Sequence, residues 1–172
     1  MTSLYDLSVG SYLQIVSGVQ TVLAKGAMFA EENGLAVDDF VAARLRDDML
    51  PLSYQVKFVK VQSLDALQAL EVGEFSPPTG VLESDYQGLQ TMMSDTQTEL
   101  EKFTEDAVNQ YAGKSVIFKF SDQEIPFTAE NFILSFSLPN LNFHATTAYD
   151  LLRQQGVPLG KRDYLGKMRV GV

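Results

Sequence analysis

Apolar residues recur every three or four positions over four long stretches of this chain, and this pattern constrains the fold more than any other feature. Residues with that spacing lie on one face of an α-helix. The first helix is predicted from about Ser8 to Asn33, with Gly34 well suited to end it. Its apolar stripe contains Leu13, Val16, Val19, Val22, Leu23 and Phe29. Such a stripe must be buried against other helices, so we expect a helical bundle.

A second long helix is predicted to begin at Pro51 and to end at Gly73. The missing N–H of a proline is harmless in the first turn of a helix, where no intrahelical partner exists. A shorter helical piece is predicted before it, from Val37 to Leu45. Asp38 or Asp39 is available as the N-cap of this piece.

The third and fourth helices are separated by a segment of different period. Ser84 to Gln87 fits a capping box, so the third helix is predicted to start there and to end near Gly113. Over residues 115–127 the apolar period changes from about 3.6 to about 2, which predicts a small β-hairpin. Thr128 is expected to cap the last helix, Ala129 to Gln155. The predicted fold is therefore all-α, a four-helix bundle with a β-hairpin before its last long helix.

The length of 172 residues suits a single domain with a sizeable core, and we take residues 1–172 as that domain. Residues 75–80 contain two prolines and a glycine and are predicted to form a loop within it. From about residue 160 to residue 172 we expect a loosely packed, exposed tail.

The formal net charge is −9, from 13 Lys and Arg against 22 Asp and Glu. Nucleic-acid affinity comes mainly from neutralising phosphates, so this charge argues against a nucleic-acid partner. The first residues do not resemble a secretory signal, and no apolar run approaches the roughly 18 residues of a membrane span. We therefore expect a cytoplasmic protein with no membrane partner.

The chain contains one histidine, His144, and no cysteine. Most zinc-type sites need at least two His or Cys ligands, and a thiol nucleophile needs a cysteine. Phosphate-binding glycine loops and the nucleophile elbow of serine hydrolases are also missing from the sequence. These absences disfavour a metal-dependent hydrolase, and no cofactor is expected.

His144 is the candidate catalytic residue. Asn140, Thr147 and Ala148 lie three or four residues away, on a face that should point into the bundle. In one interpretation His144 is a core or dimer-interface residue held by one hydrogen bond. In another it is a general acid/base or substrate-orienting group, a role that suits the near-neutral pKa of histidine. A metal ligand is the third alternative.

Four further residues are candidates for binding a ligand. Tyr54 and Tyr149 either line a cavity with their hydroxyl groups or are core residues with a solvated tip. Arg44 and Asp48 belong to a polar cluster with Asp47. In that cluster, Asp47 or Asp48 as the N-cap of the following helix, paired with Arg44, is a simpler interpretation than a cation site.

Pro139 lies inside the predicted fourth helix. There it removes the hydrogen bond to the carbonyl of Ser135, at a cost of about 3 kcal/mol, and this indicates a kink. The freed carbonyl, with Asn140 beside it, could face a pocket or a water. Alternatively, the kink simply fits the helix around the hairpin.

Three stretches of the chain resemble the DUF1993 family, which belongs to the DinB/YfiT-like superfamily of proposed metalloenzymes. They are Ser3–Leu7, Ala43–Val56 and Leu138–Arg153, the last followed by Gly156–Val157 and Gly160–Gly166. The resemblance spans nearly the whole chain. It implies a DinB-like bundle and a homodimer, and it brings no known activity.

The metal site of that superfamily uses three histidines, one from the second long helix and two from the fourth. In this chain the fourth helix offers only His144, and the facing part of the second helix offers Gln55. Ser135 stands where many family members place a second histidine. The resemblance therefore implies where a site would lie, while the residues present argue against a metal.

The leading hypothesis is a metal-independent protein that binds a small organic molecule in an interior pocket near His144. Any catalysis would be of an acid/base isomerase or lyase type. The alternative is a non-catalytic homodimeric interaction protein, and a third is a residual metal-binding protein. An open cavity at His144 would favour the first, and a packed interior the second. The ligand-binding candidates are Tyr54, Gln55, Asn140, Tyr149, Arg44 and Asp48.

Overall fold

The computed structural model describes residues 2–80 and 83–171, most of which are helical. The helices are α1 Leu4–Leu7, α2 Val9–Glu32, α3 Leu52–Lys60, α4 Ala66–Val72, α5 Tyr86–Leu100, α6 Glu105–Asn109, α7 Ala129–Asn131, α8 Leu138–Gln154 and α9 Lys161–Leu165. A 3-10 turn forms at Val37–Phe40, and two π-helical turns form at Val61–Asp65 (the first π turn) and Phe132–Ser137 (the second π turn). The strands are β1 Glu74–Phe75, β2 Ser115–Phe120 and β3 Gln123–Thr128.

The hydrophobic core lies between α2, α3, α5 and α8. α2 and α3 each contact both α5 and α8. Tyr12, Val16, Val19 and Leu23 of α2 are all at most 1% exposed, which accounts for the apolar stripe of this helix. The mostly helical character is confirmed, whereas the count of four long helices is not. Three of the four predicted helices are divided, two by π turns and one by the break between α5 and α6.

The segment Leu4–Glu32 is long and apolar enough to cross a membrane by length and composition alone, contrary to the expectation from the sequence. The most apolar 18-residue window of this segment has a mean hydropathy of 1.2, and 44% of it is buried inside the protein. A core helix of any globular protein can pass the same test. The observation is therefore weak evidence for a membrane span.

Two aspartates accept hydrogen bonds from the first N–H groups of α5, and neither was predicted to do so. Asp85, not Ser84, is the N-cap, and its carboxylate accepts a hydrogen bond from the N–H of Gly88 at 2.7 Å. Asp38 does not cap the 3-10 turn that contains it. Its carboxylate accepts a hydrogen bond from the N–H of Tyr86 at 2.8 Å. Both charges are favourable at the positive end of the helix dipole.

The predicted hairpin is present, and a third strand joins it. β2 and β3 pair antiparallel, with Phe118 opposite Ile125, and Ser121 makes the turn with a left-handed φ of 53°. β1 pairs parallel with β2, so Phe75 lies beside Phe118 and not in the predicted loop. The ring of Phe75 also lies 5.3 Å from that of Phe132, which attaches the sheet to the second π turn. The fold is therefore mostly helical with a small three-stranded sheet.

The last helical segment begins as predicted and contains a π turn before its proline. Thr128 caps α7 by accepting a hydrogen bond from the N–H of Asn131 at 3.3 Å. The second π turn ends directly before α8, and Pro139 lies in the first turn of α8. The π turn runs directly into α8, so the ring of Pro139 is accommodated within a continuous helical segment. The side-chain amide of Asn140 donates to the carbonyl of Phe136 at 2.7 Å, which satisfies a carbonyl beside the proline.

The first part of the C-terminal tail, residues 160–166, packs against α2. Lys25 and Asp163 form an ion pair at 2.7 Å. Gly18 approaches the backbone of Tyr164 so closely that a Cβ atom would lie 2.2 Å from its carbonyl oxygen. This part of the tail is therefore more closely packed than expected, while the last described residues are exposed.

We expect Gly26→Ala to lower the free energy of unfolding by about 2 kcal/mol. A Cβ atom at this position would lie 2.2 Å from the hydroxyl oxygen of Tyr86, which donates to the carbonyl of Leu23 at 2.9 Å. Overpacking costs about 1–3 kcal/mol, which outweighs a helix-propensity gain of up to about 1 kcal/mol. Urea denaturation measures the effect. Gly10→Ala is the matched control, since its Cβ would meet only the flexible end of Arg169, and equal losses in both variants would contradict this account.

Candidate functional site

His144 lies where α3 and α8 meet, and a buried glutamine holds its ring. The Nδ1 atom of His144 is 2.8 Å from Oε1 of Gln55. The Nε2 group of the same amide donates to the carbonyl of Leu50 at 2.9 Å. The amide oxygen therefore faces the imidazole and accepts, so Nδ1 carries the proton. The other ring nitrogen, Nε2, is left as a hydrogen-bond acceptor.

Burial lowers the pKa of His144 from 6.5 to about 4, because the charged imidazolium would lose hydration at this position. The ring is therefore neutral near pH 7. A general base works best when its pKa lies near the operating pH. This geometry consequently favours a histidine that forms hydrogen bonds over one that shuttles protons.

Three aromatic rings surround the imidazole. The ring centres of Phe58, Phe143 and Tyr54 lie 5.1, 5.3 and 6.3 Å from that of His144. Phe58 is buried, Tyr54 and His144 are half-buried, and Phe143 is 56% exposed. Leu50, whose carbonyl binds the amide of Gln55, is 45% exposed. We define the His144 surface as Leu50, Tyr54, Phe58, Asn140, Phe143 and His144.

Solvent reaches the Nε2 atom of His144. Within the described ranges, 2–80 and 83–171, this atom has no hydrogen-bond partner. In the same ranges Oε1 of Gln62 is the one buried side-chain nitrogen or oxygen without a partner, so Nε2 is not buried. It is available to a group that approaches from outside.

Arg44 and Asp48, two of the predicted ligand-binding residues, point elsewhere. The guanidinium of Arg44 donates to the carbonyl of Met49, and the exposed carboxylate of Asp48 lies 3.8 Å from Arg46. Among the described residues neither forms a hydrogen bond with His144. The predicted cap by an aspartate was wrong, because Pro51 is the N-cap of α3 and no side chain caps it.

The other two candidates on α8 lie on either side of His144. Asn140 is one turn earlier and belongs to the His144 surface. The hydroxyl of Tyr149 lies 3.5 Å from the carbonyl of Leu159, and its ring packs 6.1 Å from that of Tyr164. Tyr149 therefore holds the C-terminal segment.

The interior beside His144 is packed. His144 lines none of five surface cavities, of about 170 to 600 Å³, that the described residues form. Gln55 is 3% exposed, and Ala145 and Ala148 are fully buried. The interior-pocket hypothesis gains no support from this arrangement.

The residues present do not fit the metal that the superfamily implies. The amide of Gln55 is already engaged in two hydrogen bonds, and the hydroxyl of Ser135 bonds to the backbone of Asn131. In the part of the chain that the structure describes, no group of three or more His, Cys, Asp or Glu side chains could hold a metal ion. A zinc site needs at least three protein ligands, and His144 supplies one.

Comparison with known proteins agrees with the fold and leaves the activity open. Residues 4–165 match the domain of unknown function DUF1993. The chain belongs to the DUF1993 family. It is also similar to the crystal structure of a DinB family member protein from Shewanella denitrificans, with 28% identity, a TM-score of 0.81, and coverage of 98% of this chain and 95% of that one. No curated protein matches the chain. The resemblance to DUF1993 and to the DinB-like fold is thus confirmed.

In this DUF1993 protein His144, Gln55 and Tyr54 lie close together, and Asn140 lies one turn before His144 on α8. The residues missed were Phe58 and Phe143, which carry much of the aromatic area. Phe58 could have been found, since it lies four residues after Tyr54 and therefore on the same helical face. The exposure of Phe143 had no signal in the sequence.

Proposed function

We propose that this DUF1993 protein is a non-catalytic interaction protein that forms a homodimer through the His144 surface. The observation that carries the proposal is the exposure of Phe143, 56%, beside the half-buried rings of Tyr54 and His144. Contiguous exposed apolar surface marks interaction sites, and aromatic residues are enriched in them.

The charge distribution supports a second copy of the chain as the partner. None of the six side chains of the His144 surface carries a formal charge near pH 7, since the low pKa of His144 keeps it neutral. The whole chain has a net charge of −9. Two such copies repel each other, and the repulsion is smallest where uncharged surfaces meet. Interface cores are likewise depleted of charged residues.

Sedimentation velocity of untagged protein over a range of concentrations tests this proposal. We expect a dimer for the wild type and at least about 30-fold weaker association for Phe143→Glu, since central aromatic residues contribute about 2 kcal/mol or more. Phe120→Glu is the matched control, because Phe120 is 58% exposed and lies on the sheet. A monomeric wild type, or dissociation by the Phe120 variant alone, would rule out this interface.

A small organic ligand at the same surface is the second candidate, favoured by the solvent-reached Nε2 atom among three aromatic rings. Acid/base isomerase or lyase activity would be an extension of this candidate, and the pKa of about 4 for His144 counts against it. Its test is a thermal-shift screen of metabolites and divalent metals on untagged wild type and His144→Ala. A compound that raises the melting temperature of the wild type only would support it.

Several broader features are part of the same proposal. We treat residues 1–172 as one domain. We also treat the helices around the core as a four-helix bundle, in which each π turn joins two α-helices into one long helix, as the apolar periodicity predicts. We also propose a cytoplasmic protein without nucleic-acid or membrane partners. The net charge of −9 supports the absence of nucleic acid, and the burial of α2 residues in the core supports the absence of a membrane.

A further inference from the structure

We infer that Gln55 is a positioning residue that makes His144 a hydrogen-bond acceptor, so that the His144 surface recognises a partner group that donates an O–H or N–H. The inference rests on the proposed function, because the partner is then the second copy of the chain. It adds to that function the type of hydrogen bond made across the interface and the residue, Gln55, that determines it.

The orientation of the Gln55 amide is set by the backbone carbonyl of Leu50, which can accept a hydrogen bond but cannot donate one. The carbonyl of Leu50 only accepts, so the NH2 end of the amide must face it, at 2.9 Å. The oxygen end then faces Nδ1 of His144 at 2.8 Å and requires a proton there. The reversed amide would place two oxygen atoms against each other and an NH2 group against the imidazole.

The surroundings of Gln55 hold this arrangement in place. The side chain is 3% exposed, so water does not compete for either end of the amide. The carbonyl that it binds belongs to Leu50, directly before the N-cap Pro51, and the imidazole is on the long helix α8. One end of the amide is therefore bonded to the segment that leads into α3 and the other to a side chain of α8, and this pairing pre-organises the acceptor.

The unprotonated Nε2 atom selects the kind of group that can dock. A hydroxyl or an N–H group can donate to it, whereas a carboxylate would present lone pairs to a lone pair. In a symmetric dimer this donor must come from the same surface of the second copy. Tyr54 supplies one, since its hydroxyl has no hydrogen-bond partner within residues 2–80 and 83–171. Burial also raises the pKa of Tyr54, so its hydroxyl keeps its proton.

Long-range ¹H–¹⁵N NMR of the imidazole tests the positioning role without any partner. We expect the wild type near pH 7 to show a protonated Nδ1 and an unprotonated Nε2. Gln55→Met, which keeps the length of the side chain and loses both hydrogen bonds, should give a mixture of tautomers. Gln55→Glu, which keeps an acceptor oxygen towards Nδ1, should keep Nδ1 protonated and, through its negative charge, raise the pKa of the ring. A wild-type ring protonated at Nε2 would overturn the inference even if the protein dimerises.

Sedimentation of the same variants tests the contact. Tyr54→Phe and Gln55→Met should each weaken dimerisation about 30-fold, the equivalent of two neutral hydrogen bonds, because the contact occurs twice in a symmetric dimer. The circular dichroism spectrum of Tyr54→Phe should match the wild type, since that hydroxyl makes no hydrogen bond within the described part of its own chain. If the tautomer is as expected and Tyr54→Phe dimerises like the wild type, the Tyr54 donor is wrong. If the wild type is monomeric, the proposed function itself is wrong, and the tautomer result still decides the role of Gln55.

Discussion

Ser137→Ala is expected to lower the free energy of unfolding by about 3 kcal/mol. The Ser137 hydroxyl is fully buried and donates to the backbone carbonyl of Gln62 at 2.6 Å. The hydroxyl of Tyr12, also buried, lies 2.6 Å from Oγ of Ser137 and donates to it, since the Ser137 proton is already directed at Gln62. Alanine would leave one buried donor and one buried acceptor without partners, and each costs about 1–3 kcal/mol.

Tyr12→Phe is the control for this network. It removes one donor and leaves the bond between Ser137 and Gln62 in place, so a loss of about 1 kcal/mol is expected. Urea denaturation of both single variants and of the double variant provides a double-mutant cycle. The double variant should lose less than the sum of the single losses, because no orphaned tyrosine hydroxyl remains. Strictly additive losses would show that the two side chains are not coupled.

The same network explains how the two π turns face each other. Gln62 belongs to the first π turn and Ser137 ends the second. A π turn leaves backbone carbonyls without their usual helical partners, and a buried carbonyl needs a donor. The hydroxyl of Ser137 is that donor for Gln62, while the hydroxyl of Ser63 donates to the carbonyl of Val59 at 2.6 Å. The two irregular helices are thus joined by the side chain of Ser137, while the hydrogen bond of Ser63 stays within its own helix.

Acidification is expected to destabilise the protein through His144. The pKa of this residue is about 4 in the folded protein, against 6.5 for an unperturbed histidine. Between these values the unfolded chain binds the proton more tightly, so stability falls as the pH drops from about 6.5 to about 4 and then levels off. The gap between the two pKa values corresponds to at most about 3 kcal/mol.

His144→Gln removes the titrating ring, so its stability should be flatter over the same range of pH. The measurement is urea denaturation of both proteins from pH 7.5 to pH 4. Hydrogen bonds from Ser3 lower the pKa of Asp6, and the side chain of Lys25 lowers that of Asp163. These carboxylates lose their contribution at lower pH than His144 and do so in both proteins. Parallel curves between pH 6.5 and pH 4 would contradict the predicted role of His144.

The long helices and their caps were predictable where the signal is local. The apolar stripe of α2 follows from spacing alone, and Thr128 caps α7 because its hydroxyl meets an N–H three residues later. Asp38 shows the limit of such reasoning. It lies in a suitable position to cap its own turn, and yet it binds the N–H of Tyr86, 48 residues away. A local rule cannot rank a distant partner.

The candidate site divides in the same way. The identity of His144 as the single histidine follows from composition, and the position of Gln55 on the facing helix follows from the resemblance to DUF1993. Arg44 and Asp48 were predicted at the candidate site from their sequence motif. In the structure Arg44 binds the carbonyl of Met49, and Asp48 lies near Arg46. The proximity of motif residues in sequence does not ensure a shared surface.

The sequence alone determined the helical character, the hairpin and the family, because periodicity, capping and motifs are properties of neighbouring positions. Composition alone showed the absence of cysteine. Four features depended on the packing of distant segments. These were the two π turns, the third strand, the docked tail and the low pKa of His144. Each arises from burial or from a hydrogen bond between parts of the chain far apart in sequence, as between Ser137 and Gln62. The free energies of such contacts are set in three dimensions, so only the folded chain could reveal them.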